Sequence, residues 1–379
     1  MASVSFLSAD SMTPILTLLG QDTLRNQILS SAMARRSAAQ GQKVLLLSPD
    51  QSPALDLLFA TAVTGEQREV ESHLWVQRLQ STQLLERSWE DLKKLEAQYL
   101  RTPFLKSVYG QELSILPGMD SALALNQLRE EVTKGQWDLV IFAGTHSVET
   151  LRMLGMPEVM SWYLRRFRSV FLDSDVAKAA LPFLQPLVAA VSTVNWSEAL
   201  LTEPDNQMTN LLTQGSTAVS NPQQVLAYLT TGNDSFSSAT AQSLWGMAQQ
   251  VGLTIAGVLS YPATAAAQLQ ENFAPLTVSP IPLDNLEAID WAALSAALPP
   301  LDQGLSAPRA LSIDIAQRQV RVFLPGFDKK QVKLTQYGGE LTIEAGDQRR
   351  NIDLPPELSG KAVAGAKFQD HYLIVTIAA

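Results

Sequence analysis

The residues from Leu18 to Ile28, LLGQDTLRNQI, stand where a short apolar run hands over to a helical pattern. A strand-to-helix turn cradles phosphate when it carries G-x-x-x-x-G-K-[ST]. The glycines expose backbone N–H groups, the lysine neutralises phosphate, and the hydroxyl helps hold Mg²⁺. Here Gly20 is the only glycine, and no lysine follows it in the turn. The candidate loop positions are Gly20, Gln21, Asp22, Thr23, Leu24, Arg25, Asn26 and Gln27, and this altered loop is expected not to bind. Asp50, at the end of the next apolar run, is either a catalytic carboxylate or a strand-end cap. His146 has no visible partner base or nucleophile and reads as a polar loop residue.

The elements around these residues follow from periodicity. Ile15 to Leu19 reads as a buried strand, Leu24 to Ala39 as a helix ending near Gly41, and Lys43 to Ser48 as a second strand. From Glu66 to Tyr99 the spacing of Trp75, Leu79, Leu84, Leu85, Trp89, Leu92, Leu95 and Tyr99 predicts amphipathic helix. Asp120 is the expected cap of a helix over Ser121–Thr133. Trp137–Phe142 is apolar enough for a central parallel strand, and a helix over Val148–Phe167 is expected to bend or break near Gly155-Met156-Pro157. A helix closing at Val251-Gly252-Leu253 and a strand over Thr254–Leu259 continue the alternation. Together these imply a doubly wound, mostly parallel α/β sheet. Residues 272–309, rich in proline and alanine, read partly as linker. From Leu311 the period becomes two, with turns such as Pro325-Gly326 and Gly338-Gly339, which predicts an antiparallel β-sandwich. The expected division is 1–300, with a helical subdomain at about 62–135, then a linker at 301–309 and a sandwich at 310–379.

Composition excludes several classes. The chain has 379 residues, 46% of them hydrophobic, and a net charge of −9. Its largest basic cluster, Arg165-Arg166-Phe167-Arg168, is a solvated helix face on this reading, so nucleic acid is not an expected partner. Arg349-Arg350 reads as a solvated strand edge that discourages aggregation. There are no cysteines, and the three histidines (His73, His146 and His371) are far apart, so neither disulfides nor a multi-histidine metal site is expected. The longest apolar run, Ala179 to Val194, is broken by Pro182 and Pro186, so no integral membrane segment is expected. Without a secretory signal the expected location is cytoplasmic.

Four segments in order resemble the ArsA family, the arsenite-pump ATPases together with the ATPase that targets tail-anchored membrane proteins. Gln42 to Asp50 resembles the family's second strand and first switch loop. Glu112 to Asp120, ELSILPGMD, is similar to its E-L-x-x-L-P-G-M-D segment, and Trp137 to Pro157 to its Walker B strand and second switch. Leu324 to Asp328, Arg349 to Pro355 and Val363 to Ala366 resemble the small heat-shock-like, α-crystallin-type domain of some bacterial members. The resemblance implies a P-loop NTPase-like fold, ATP and Mg²⁺ as cofactors, and a homodimer. In the same alignment Gln21 replaces the lysine that reaches the partner's nucleotide. Asn26 replaces the phosphate lysine, Gln27 the Mg²⁺-binding threonine, and Ala143 the Walker B aspartate. No asparagine stands near Leu259 to Pro262 to read an adenine, and only Asp50 keeps its family identity.

Three readings follow. The first is a pseudo-ATPase with no cofactor, acting as a binding or chaperone-like protein for apolar segments or a protein client. The second is a functional or weak ATPase linked to protein targeting or anion transport. The third is a scaffold subunit paired with an active family member. The apolar residues of 66–133 form a client groove on the first reading, and the alternative is that they pack the helical layer onto the sheet.

Overall fold

The computed structural model describes residues 13–99, 105–172, 207–301 and 307–378. The run Ala179–Val194 lies outside them. Five-residue apolar segments make the first strands: β1 (Ile15–Leu19) and β2 (Val44–Ser48), with α1 (Thr23–Ala39) between them and the short α2 (Ala54–Phe59) after β2. β5 (Leu139–Phe142) inserts between β1 and β2, and β6 (Val225–Thr231) pairs with the other side of β1. With β7 (Thr254–Ser260), β8 (Val278–Pro280), β3 (Arg68–Glu71) and β4 (Leu74–Arg78) the sheet has eight strands, ordered β3-β4-β2-β5-β1-β6-β7-β8. Every pairing is parallel except β3 with β4.

Alternate residues of the central strands enter opposite cores, as a two-sided parallel sheet requires. Leu45, Leu47, Val140 and Phe142 pack with α4 (Met119–Lys134), α5 (Ser147–Leu172) and α7 (Ser235–Gln250). Val44, Leu46, Leu139 and Ile141 pack with α1 and α8 (Trp291–Ala297). A further helix, α6 (Gln207–Ser220), lies against α5.

The helical reading of 66–99 is correct only from Ser81, where α3 (Ser81–Tyr99) begins. Residues 68–71 and 74–78 are strands instead. Trp75 and Leu79 mimic a helical repeat, but Leu74 and Val76 are fully buried at alternate positions and β4 pairs with β2. Trp75 turns to the other face, 5.2 Å from Trp137. In α3 and α4, Leu84, Leu85, Met119, Leu123 and Leu128 pack into the sheet core, as the packing alternative expects.

Smaller differences have local causes. Gly118, at φ +84°, occupies the cap position of α4, and Asp120 sits inside the first turn, where its charge complements the helix dipole. Pro157 does not end α5, which continues to Leu172. The proline-rich stretch includes β8 and α8, and Arg36 fastens it to α1 through the carbonyls of Leu298 (2.6 Å) and Pro299 (2.7 Å).

The C-terminal strands form two sheets, β14-β15-β10-β9 and β11-β12-β13, over a core that includes Val320, Val322, Leu341, Ile343, Val375 and Ile377. Here β9 is Leu311–Asp314, β10 Gln319–Phe323, β11 Val332–Tyr337, β12 Glu340–Ala345, β13 Gln348–Asp353, β14 Val363–Gln369 and β15 Tyr372–Ile377. The sandwich docks on α5 and α7. Trp245 stacks edge-on to Phe323 at 5.5 Å, and Phe327 presses against Gly246.

Arg350 corrects the reading of a solvated Arg349-Arg350 edge. Arg349 is exposed and paired with Glu344 at 2.8 Å, whereas Arg350 is only 8% exposed. Its Nη1 donates to the carbonyl of Gln249 at 2.9 Å, at the C-terminus of α7. Arg152 with Asp347 and Arg165 with Asp353, each at 2.8 Å, complete the contact. Among the described residues, no helix is long and apolar enough to cross a membrane.

Candidate functional site

The parallel strands end at one edge, and in open α/β sheets ligands sit outside such carboxyl ends where the strand order reverses. β1 is that reversal, with β5 on one side and β6 on the other. The loops after β1, β2, β5, β6 and β7 bring Gly20–Arg25, Asp50, Gly144–Ser147, Asn233-Asp234 and Tyr261 to this edge.

Gly20 is held by its own chain. Its N–H donates to Ser147 Oγ at 2.8 Å, and the same hydroxyl donates to the Gly20 carbonyl at 2.8 Å. A Cβ on Gly20 would stand 1.8 Å from Thr230 Oγ1 and 2.8 Å from the Thr230 carbonyl oxygen. The close approach of β6 therefore suffices to require glycine here.

Asp22 caps α1. Its Oδ1 accepts from the Arg25 N–H at 2.9 Å, and its Oδ2 pairs with Arg25 Nη1 at 2.5 Å. The guanidinium lies over the Tyr261 ring at 4.9 Å. Burial, and after it the negative charge of Asp22, pushes the Tyr261 phenol up to about 12. A helix N-terminus attracts an anion, and here the chain supplies one. Asp22→Ala removes the cap, and urea denaturation is expected to show a loss of about 1 kcal/mol.

Asn26 and Gln27 point inward. Asn26 is 3% exposed and accepts from Thr230 Oγ1 at 2.5 Å, and Gln27 is fully buried. Gln27 Nε2 donates to Asp50 Oδ2 in a very short hydrogen bond. Ser52 donates to Asp50 twice, through Oγ at 2.5 Å and its N–H at 3.0 Å. Burial disfavours ionisation of Asp50, but the hydrogen bonds from Ser52 and Gln27 outweigh it and hold the carboxyl below the ordinary aspartate value. Thr23 Oγ1 donates to the Thr145 carbonyl at 2.6 Å, and Leu24 is exposed.

Two cavities open on this edge. One of about 450 Å³ is lined by Gln21, Asp22, Arg25, Asp234 and Tyr261. The other, about 560 Å³, includes Gln80, Asp120, His146 and Glu149. His146 lies in an exposed loop, its Nδ1 3.4 Å from a Glu149 oxygen. The structure thus places two hydrogen-bonded groups at this edge, Gly20 and Asn26 with Ser147 and Thr230, and Gln27 and Asp50 with Ser52, and the His146 side chain belongs to neither. Sequence reasoning missed Ser147, Thr230 and Tyr261. The strand carrying Thr230 had a legible signal, the run VLAYLTT between Pro222 and Gly232.

Comparisons with known proteins identify the family. A sequence profile described as anion-transporting ATPase (ArsA) matches residues 25–230, more than half of the chain. A second, described as an HSP20-like domain found in ArsA, matches residues 316–377. A putative arsenical pump-driving ATPase of Chlorobaculum tepidum is 21% identical over 95% of this chain and 94% of its own length. Another, of Aquifex aeolicus, is 21% identical over 95% of this chain and 99% of its own length. An ATPase ASNA1 homolog of Babesia bovis is 29% identical over 37% of this chain and 38% of its own length. With a family profile over most of the α/β domain and the family's own appended domain behind it, this chain belongs to the ArsA family of anion-transporting ATPases.

Proposed function

We propose that this chain keeps the family fold without ATP turnover and works in the cytoplasm by binding a protein partner through an apolar segment. One observation carries the reading: the turn that would cradle phosphate is filled by the chain itself. Ser147 occupies the N–H and carbonyl of Gly20, and the Asp22 carboxylate sits at the N-terminus of α1. The one cation in the turn, Arg25, is paired with Asp22. Asn26 and Gln27 offer uncharged amides that already serve Thr230 and Asp50. This set does not fit a triphosphate with Mg²⁺, because phosphoryl transfer depends on placed positive charge.

The HSP20-like domain supports the binding half of the reading, since the resemblance implies a module that shields apolar segments. Pairing with an active family member would replace the lysine lost at Gln21 but not the groups lost at Asn26, Gln27 and Ala143. Calorimetric titration with Mg-ATP is expected to give no binding heat up to about 1 mM, at the upper end of usual substrate affinities. Micromolar binding, with hydrolysis abolished by Asp50→Ala, overturns the reading.

A further inference from the structure

Between the sandwich and helices α5, α6 and α7 lies a cleft of about 920 Å³. Met156, Val159, Trp162 and Val251 give it an apolar floor. One wall is β13, and all six of its residues, Gln348 to Asp353, line the cleft. Side chains of a strand alternate between its faces, so a surface touched by consecutive residues runs along the strand's edge. β13 is the outer strand of its three-stranded sheet, and an outer strand presents N–H and C=O groups with no strand partner on that side.

Residues that line the cleft carry buried side-chain atoms without hydrogen-bond partners. Gln250 is 3% exposed, and both its Nε2 and its Oε1 are unpaired. Arg350 Nε is unpaired too, since the nearest Glu158 oxygen is 3.7 Å away, beyond hydrogen-bond reach. Gln348 contributes an unpaired Oε1. Buried orphans of this kind are costly, and this set contains both donors and acceptors. A ligand that satisfies them must itself present both, as a peptide backbone does at every residue.

Charge narrows the class further. The four arginines of the cleft stand beside four carboxylates: Asp347, Asp353, Glu344 and Glu158. The walls therefore offer no net charge to a nucleotide or other polyanion, and suit uncharged amides flanked by apolar side chains.

From the open strand edge, the orphaned amide and guanidinium groups and the balanced charge, we infer that this cleft binds an extended, apolar segment of another protein. The segment adds a strand to β13 and sets its backbone against Gln250 and Arg350. Strand addition draws affinity from main-chain hydrogen bonds and specificity from pockets for alternate side chains. A partner matching β13 would be about six residues, roughly 20 Å, long. The inference rests on the protein-binding half of the proposed function and is independent of the nucleotide half.

The test is fluorescence anisotropy of a dye-labelled hexapeptide alternating threonine and leucine, titrated with the full chain. Saturable binding is expected, weakened roughly tenfold by the near-isosteric Gln250→Met, the equivalent of one lost hydrogen bond. Thr217→Trp, at an exposed position lining the cleft, is expected to block binding while leaving Gln250 and the fold untouched. Absence of saturable binding to the unmodified chain overturns the inference. Binding that both variants leave unchanged overturns the cleft as the site, while the protein-binding reading survives.

Discussion

Gly246→Ala is expected to lower the stability of the chain by about 2 kcal/mol in urea denaturation and to loosen the sandwich from α7. The sign is the diagnostic part. Within a helix the same exchange ordinarily stabilises, by up to about 1 kcal/mol, because glycine is the more flexible residue. Here a Cβ at position 246 would stand 2.4 Å from Phe327 Cε2 and 2.4 Å from the Pro325 carbonyl oxygen. An isolated ring would turn aside, but this one is largely buried, and the carbonyl belongs to the backbone of a tight turn at Gly326 (φ +75°). The turn must therefore retreat from the helix. Trp245, next in sequence and stacked on Phe323, reports that retreat as a change in tryptophan emission. A Gly246→Ala chain as stable as the parent or more so would show that the sandwich does not rest on this contact.

Arg350→Met is expected to cost about 3 kcal/mol at neutral pH, near the lower bound for breaking a buried pair because Glu158 keeps 35% of its side chain exposed. The variant loses the hydrogen bond to the Gln249 carbonyl and a cation at the C-terminus of α7. The cost depends on pH with a definite sign. Burial, with Asp353 adding, raises Glu158 above the ordinary glutamate value of 4.5, against the pull of Arg350 and Arg165. A carboxyl whose folded pKa is raised contributes stability that is fully present below 4.5 and is lost as pH rises through the raised value. Without Arg350 the pKa rises further, and that loss extends to higher pH. The deficit of Arg350→Met is thus smallest at about pH 4 and grows towards neutrality. Urea denaturation of parent and variant across this range reads the difference. Adding Glu158→Gln should flatten it, and a deficit independent of pH would remove Glu158 from the account.

The sequence made the layered fold legible because its signals were local. Runs such as Val44–Ser48 and Leu139–Phe142 are short, apolar and bounded, and the period-two tail could only be antiparallel strand. It misled where a local pattern had two solutions. Trp75 and Leu79 fit a helical repeat, yet pairing of β4 with β2 decided for strand. Arg350 shows the same limit: adjacent arginines look like solvent-facing charge, and only docking against Gln249 buries one of them. At the loop edge, the missing lysines were visible residue by residue. What replaced them was not, because Ser147 and Thr230 reach Gly20 from far along the chain, over sequence separations that no periodicity records.

The two helices under the sandwich have a consequence for how the molecule can move. α5 starts at Ser147, which grips Gly20, and passes Glu158 and Arg165 beside the sandwich. α7 starts after Asp234, on the rim of the cavity beside Asp22, and ends at Gln249 and Gln250 under Arg350. Each is a rod, about 24 Å long in the case of α7, held at the loop edge and again along the domain contact. A rod pinned at a single end is a lever that swings. Pinned at both, it is a strut, and a frame braced by two struts holds the sandwich at a fixed attitude.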